Sequence, residues 1–150
     1  MRKNLLDSLV AQEIIDRAQK LTPDANNLWG KMNVTEMLYH CNMANNFIFE
    51  DKVIYKRPTF KQRLLKFICF KVLVRLPRNN KQPVRINSKG KVKETEFIHH
   101  RNLFIETIDK FPKQNQTITS MHPRLGYLTN QEWGIIAWMH MDHHLRQFGV

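Results

Sequence analysis

Apolar residues along this chain recur mostly at the three-to-four-residue spacing of an α-helix. Leu9, Val10, Ile14, Ile15, Ala18 and Leu21 share that period behind Asp7, a residue suited to cap a helix N-terminus. They predict a first helix from about Ser8 to Lys20, stopped by Thr22-Pro23-Asp24. Asn33-Val34-Thr35-Glu36 has the form of a capping box and opens a second helix through Met37, His40, Ala44 and Phe47. From Thr59 to Leu76, Phe60, Leu64, Phe67, Ile68 and Leu73 alternate with Lys and Arg behind Pro58, which predicts a basic amphipathic helix. The spacing of its aromatics, Phe60, Phe67 and Phe70, reads as that of core residues.

Pro77 to Gly90 reads as a loop. Phe97, Ile98, Phe104, Ile105 and Ile108 then predict a helix from about Lys93 to Lys110, closed by Phe111-Pro112. His122-Pro123-Arg124-Leu125-Gly126 is turn-like, and Thr129-Asn130-Gln131-Glu132 is a second capping box that opens a last helix, Asn130 to Gln147. No stretch alternates with strand period and none repeats. The expected fold is all-α, a helical bundle with little or no sheet.

A length of 150 residues, with 42% hydrophobic and 25% charged, fits one domain over residues 1–150. The N-terminus lacks the apolar run of a secretory signal. The longest apolar stretch, Phe67 to Val74, is interrupted by Lys71 and is too short to span a bilayer, so a cytoplasmic location is expected. Cys41 and Cys69 have no metal-ligand spacing and read as buried thiols. The net charge of +11 is local: fourteen of the 24 Lys and Arg lie between Lys52 and Lys93, with no Asp or Glu among them. That segment is either a solvated basic face or a surface for nucleic acid or an anionic membrane.

Histidines carry the candidate chemistry. His140 and His144, four apart, can point two imidazoles at one ion from one helix face, and Trp133, Ile136 and Ala137 make that face an inward one. An i, i+4 pair can also arise on a solvated face with no ion. His40 lies on the apolar face of the second helix; alone it reads as a hydrogen-bonded core histidine, although helix packing can bring it to the pair. His143 is the rival ligand, expected behind the others or facing solvent. Asp142 is expected to be a solvated charge. Met141 stands where a helical zinc protease carries its general-base glutamate, so that chemistry is excluded. Tyr39, Asp142 and His143 are weak general-base candidates. His122 is expected to shape a turn, Arg146 to cap the last helix, Arg124 to meet an anionic substrate or a helix end, and Trp29 and Trp138 to anchor packing. No role is expected for His99 and His100.

The segments LTPDANNLWGKMNVTEMLYHC and HPRLGYLTNQEWGIIAWMHMDHHLRQFGV closely resemble a domain-of-unknown-function family within the DinB-like superfamily. The resemblance covers about a third of the chain by motif. It implies a four-helix bundle, here with an extra helical segment, and a metal held by one histidine of an early helix and a His-x-x-x-His pair of a late one. Those positions carry over to His40, His140 and His144. Where the commoner superfamily ending is His-His-Arg-Gly-Gln, this chain reads His143-His144-Leu145-Arg146-Gln147.

Three imidazoles leave coordination positions open, the pattern of a catalytic site. Zn²⁺ or Ni²⁺ suits an all-nitrogen donor set, and Mn²⁺ or Fe²⁺ is also admitted. The superfamily members resembled imply metal-dependent thiol transfer or hydrolysis on a small-molecule substrate, a low-molecular-weight thiol as partner, and homodimers. The expected setting for the substrate is an apolar pocket around Trp133 and Met37. The other readings are a binding module built on the basic 52–93 segment, and a metal that only staples the bundle.

Overall fold

In a computed structural model, which describes residues 2–50, 57–78, 88 and 90–150, the chain is all-helical. α1 spans Ser8–Gln19, α2 Val34–Phe49, α3 Phe60–Phe67, α4 Phe97–Lys110 and α5 Asn130–Gln147. The only β-type pairing among the described residues is an isolated bridge between His122 and Gly126.

The caps form as the sequence predicts. Asp7 accepts from the Leu9 and Val10 amides, and Asn33–Glu36 and Thr129–Glu132 both close as reciprocal capping boxes. Two helices depart from expectation in the last or first turn. The basic segment is α-helical only to Phe67 and then widens into a π-helical turn, Ile68–Val72, while the fourth begins with a 3-10 turn, Glu94–Glu96. Most of the loop expected from Pro77 to Gly90 lies outside the described residues.

α1 and α2 each pack against both α4 and α5. The four therefore form a ring in which α1 faces α2 and α4 faces α5 across the core. Ile14 and Ala18 of α1, Met37, Leu38 and Cys41 of α2, Phe104 and Ile108 of α4, and Met141 and Leu145 of α5 are wholly buried there. α3 lies outside this ring. It is tied to the chain around α5's start by Gln62 Nε2 donating to the Pro123 carbonyl (3.1 Å) and by Lys66 Nζ donating to the Tyr127 carbonyl (2.9 Å) and to Glu132 (2.7 Å).

Several apolar positions assigned to helix faces by period turn outward. Leu9 is 81% exposed and Ile98 is exposed as well. Phe60 and Phe67, read from spacing as core residues, are 82% and 59% exposed. The period shows that one face is apolar, but not whether another element covers it. No helix among the described residues is long and apolar enough to cross a membrane.

Candidate metal centre

α2 and α5, neighbours in the ring, bring the three predicted histidines together. His40 Nε2 and His144 Nε2 each lie 3.0 Å from His140 Nε2, and one nitrogen from each ring falls within 4.8 Å of the others. Three ligands around a tetrahedral ion with metal–nitrogen bonds of about 2.0–2.1 Å stand about 3.3 Å apart, close to the two 3.0 Å spacings, so the three rings could gather on one divalent ion. His40 and His144 are buried and His140 is partly open.

The protonation states favour the same reading. Burial first, then the neighbouring imidazoles, push His140 well below its ordinary value; burial and His40 push His144 down to about 3. Both rings are neutral at pH 7 and keep a lone pair for a ligand bond. The orientation of His144 is set from behind. Gln147 Nε2 donates to the Trp29 carbonyl (2.6 Å), which leaves Gln147 Oε1 to accept from His144 Nδ1 (3.0 Å). With its proton on Nδ1, His144 presents an unprotonated Nε2 to the other two rings, as a metal ligand requires.

The Trp29-Gly30 bend is shaped for this contact. Gly30 has φ +87°, and a Cβ there would lie 2.4 Å from Gln147 Nε2. Leu28 N also donates to the Gln147 carbonyl (2.7 Å). Trp29, expected to be only a packing anchor, thus orients a ligand at one remove through its backbone. The donor set itself is the second argument for a cation: three neutral imidazole nitrogens cannot all turn lone pairs toward one another at 3.0 Å without a proton or a positive ion between them.

His140 also lines a cavity of about 650 Å3, walled by Ala44 and Phe47 of α2, Ile68 and Cys69 of the π-helical turn, and Trp133 and Ile136 of α5. Met37, expected in the pocket, instead lies wholly buried in the bundle core. The family model described as "Protein of unknown function (DUF1569)" matches residues 2–149. The chain belongs to the DUF1569 family. No curated protein and no solved structure matches this DUF1569 chain.

Of the weak general-base candidates, none lines the DUF1569 cavity. Asp142 is not a solvated charge: it is 7% exposed and held between Arg17 (3.0 Å) and Arg146 (2.8 Å), which ties α5 to α1. Arg146 therefore spends its guanidinium on Asp142 rather than on the helix end. Tyr39 packs edge-on against His100, which is buried, unlike the exposed His99. His143 is not one of the three clustered histidines: its ring packs edge-on against His144 (5.1 Å between ring centroids) and against Trp29 (6.0 Å). Cys69 is free, and burial raises its thiol, so it is a poor nucleophile.

His122, expected only to shape a turn, is a further functional candidate. It does shape the turn: its Nδ1 accepts from the Arg124 and Leu125 amides, both at 3.1 Å. Nδ1 is therefore unprotonated, and Nε2 carries the hydrogen. The ring also lines the cavity that His140 reaches. Burial, with Arg124 adding, lowers His122 to about 4, so it stays neutral and keeps this tautomer at pH 7. A turn-like His-Pro pair gives no hint of the cavity, which α2 and the π-helical turn contribute from distant parts of the chain.

Proposed function

We propose that this protein is a metal-dependent enzyme acting on a small molecule, with a divalent ion, Zn²⁺ or Ni²⁺ first and Mn²⁺ or Fe²⁺ next, held by His40, His140 and His144. One observation carries the reading: the ligand that opens outward, His140, opens into a largely apolar cavity large enough for a small organic substrate. A closed structural site has no use for such access. The resemblance of the terminal motifs to DinB-like proteins supports the same choice, and thiol transfer or hydrolysis is the reaction class that follows from it.

When bound, the ion supplies Lewis acidity that favours the deprotonated form of a water or a low-molecular-weight thiol. The protein's own residues do the rest. Gln147 holds His144 in the ligating tautomer. Trp133, Ile136 and Phe47 exclude water from the substrate's apolar part. His122 donates its Nε2–H to a carbonyl or carboxylate oxygen of the substrate, a fixed neutral donor that needs no reorganisation as charge develops. Burial raises the Cys69 thiol, so a low-molecular-weight thiol suits the reacting role better than Cys69 does.

The test is elemental analysis of untagged protein beside His140→Ala. About one equivalent of metal in the parent, lost in the variant, with thiol-transfer or hydrolytic turnover abolished in parallel, is the expected result. Metal content unchanged by His140→Ala overturns the site. A stoichiometric metal that leaves thermal stability dependent on it, with no turnover on thiol or ester substrates, assigns the ion to stapling α2 to α5.

A further inference from the structure

The outer face of α3 is apolar where nothing in the described structure covers it. Phe60, Leu64 and Phe67 sit at i, i+4 and i+7 and so form one stripe, and all three are exposed, at 82%, 48% and 59%. Val72, at the end of the π-helical turn, and Val74 just beyond it are also exposed, at 62% and 79%. Arg57, Lys61, Arg63, Lys71 and Arg75, all exposed, flank it. No Asp or Glu occurs anywhere from residue 52 to residue 93.

The opposite face of the same segment is fully employed. Gln62 and Lys66 bond the Pro123 and Tyr127 carbonyls, and Leu65, Ile68 and Cys69 line the cavity beside His140. The core therefore accounts for the inner residues and leaves the outer stripe unexplained.

We propose that α3 and the π-helical turn form an interfacial helix that docks this protein on an anionic lipid bilayer, with Phe60, Leu64 and Phe67 entering the headgroup boundary and the flanking Lys and Arg meeting lipid phosphates. An apolar centre with a cationic rim is the pattern that such a surface selects, because it buries apolar area and gains electrostatic attraction together. The other occupants fit less well. A second copy packed stripe to stripe would set like-charged rims side by side, and a stripe one helix wide falls well short of the roughly 20 residues a side of a stable interface. A nucleic acid would satisfy the rim but leave the Phe stripe against a charged backbone.

The experiment is cosedimentation of the full chain with vesicles of phosphatidylcholine alone and of phosphatidylcholine mixed with phosphatidylglycerol, for the parent, Phe60→Ser/Phe67→Ser and Lys61→Glu/Arg63→Glu. Circular dichroism establishes that each variant folds, and since every altered side chain is exposed, folding is expected to survive. The parent should bind only the anionic vesicles. The charge variant should bind at least roughly fivefold more weakly per altered charge, and the Phe variant roughly tenfold or more. Absence of binding overturns the proposal, as does binding that the Phe variant retains. Loss of a dimer in the Phe variant without any vesicle binding would make the stripe a subunit contact, and tight oligonucleotide binding that survives in the Phe variant but not in the charge variant would make the rim a nucleic-acid surface. Metal content, unaffected by either variant, keeps this test separate from that of the triad.

Discussion

His122 serves two structures with one ring, and the two can be separated by mutation. Its Nδ1 is an acceptor for two backbone amides, a role that an asparagine side-chain oxygen can take over, whereas the Nε2–H proposed to meet substrate has no counterpart in asparagine. His122→Ala should cost about 1–3 kcal/mol by leaving those amides without an acceptor. His122→Asn should stay within roughly 1 kcal/mol of the parent, while both lose turnover. Urea denaturation and a substrate assay distinguish the two effects. The same ring predicts a pH dependence. Its folded-state value, about 4, lies below the ordinary imidazole value of 6.5, so the unfolded chain takes up a proton over that window while the folded chain does not. Its contribution to stability is complete above pH 6.5 and is lost as pH falls toward 4. Denaturation midpoints at pH 7 and pH 5 should therefore fall further in the parent than in His122→Asn.

Among the elements, α5 carries most of the site, and its first turns depend on a close crossing. Leu5 N donates to the Gly134 carbonyl (3.2 Å), and a Cβ on Gly134 would stand 1.8 Å from Asn4 Oδ1 and 3.0 Å from Leu6 Cγ. Helix propensity favours Ala over Gly inside a helix by about 1 kcal/mol, yet Gly134→Ala should destabilise by about 1–3 kcal/mol because the N-terminal strap must move. A higher denaturation midpoint in Gly134→Ala would show that this crossing is loose. The helices themselves were legible in the sequence because each is written locally. Asn33–Glu36 and Thr129–Glu132 are caps within four residues, and they place the starts of α2 and α5 where the structure has them. The error lay in α3, whose period was read correctly but whose covered side was not.

For the whole molecule, an ion on His40, His140 and His144 would join α2 to α5 and so link metal binding to fold stability. At a free metal concentration about a hundredfold above the dissociation constant, the linkage amounts to about 2.7 kcal/mol, or roughly 5–10 °C in Tm. Thermal unfolding with added Zn²⁺ and with chelator should show that difference in the parent and none in His140→Ala. The helical class and the His140–His144 pair could be read from the chain alone, because both follow from spacings of three and four residues within one helix. His40 could be placed on an apolar face but not beside the pair by its own spacing. Bringing residues 40 and 140 within 3.0 Å is a result of helix packing. The same holds for Asp142 between Arg17 and Arg146, for Gln147 behind His144, and for the cavity that gives His122 its second role. Local sequence determines which side of a helix is apolar and where the helix begins. Which neighbour meets that side, and which polar groups are thereby taken out of water together, depends on contacts between residues far apart in the chain, so only the tertiary structure decided them.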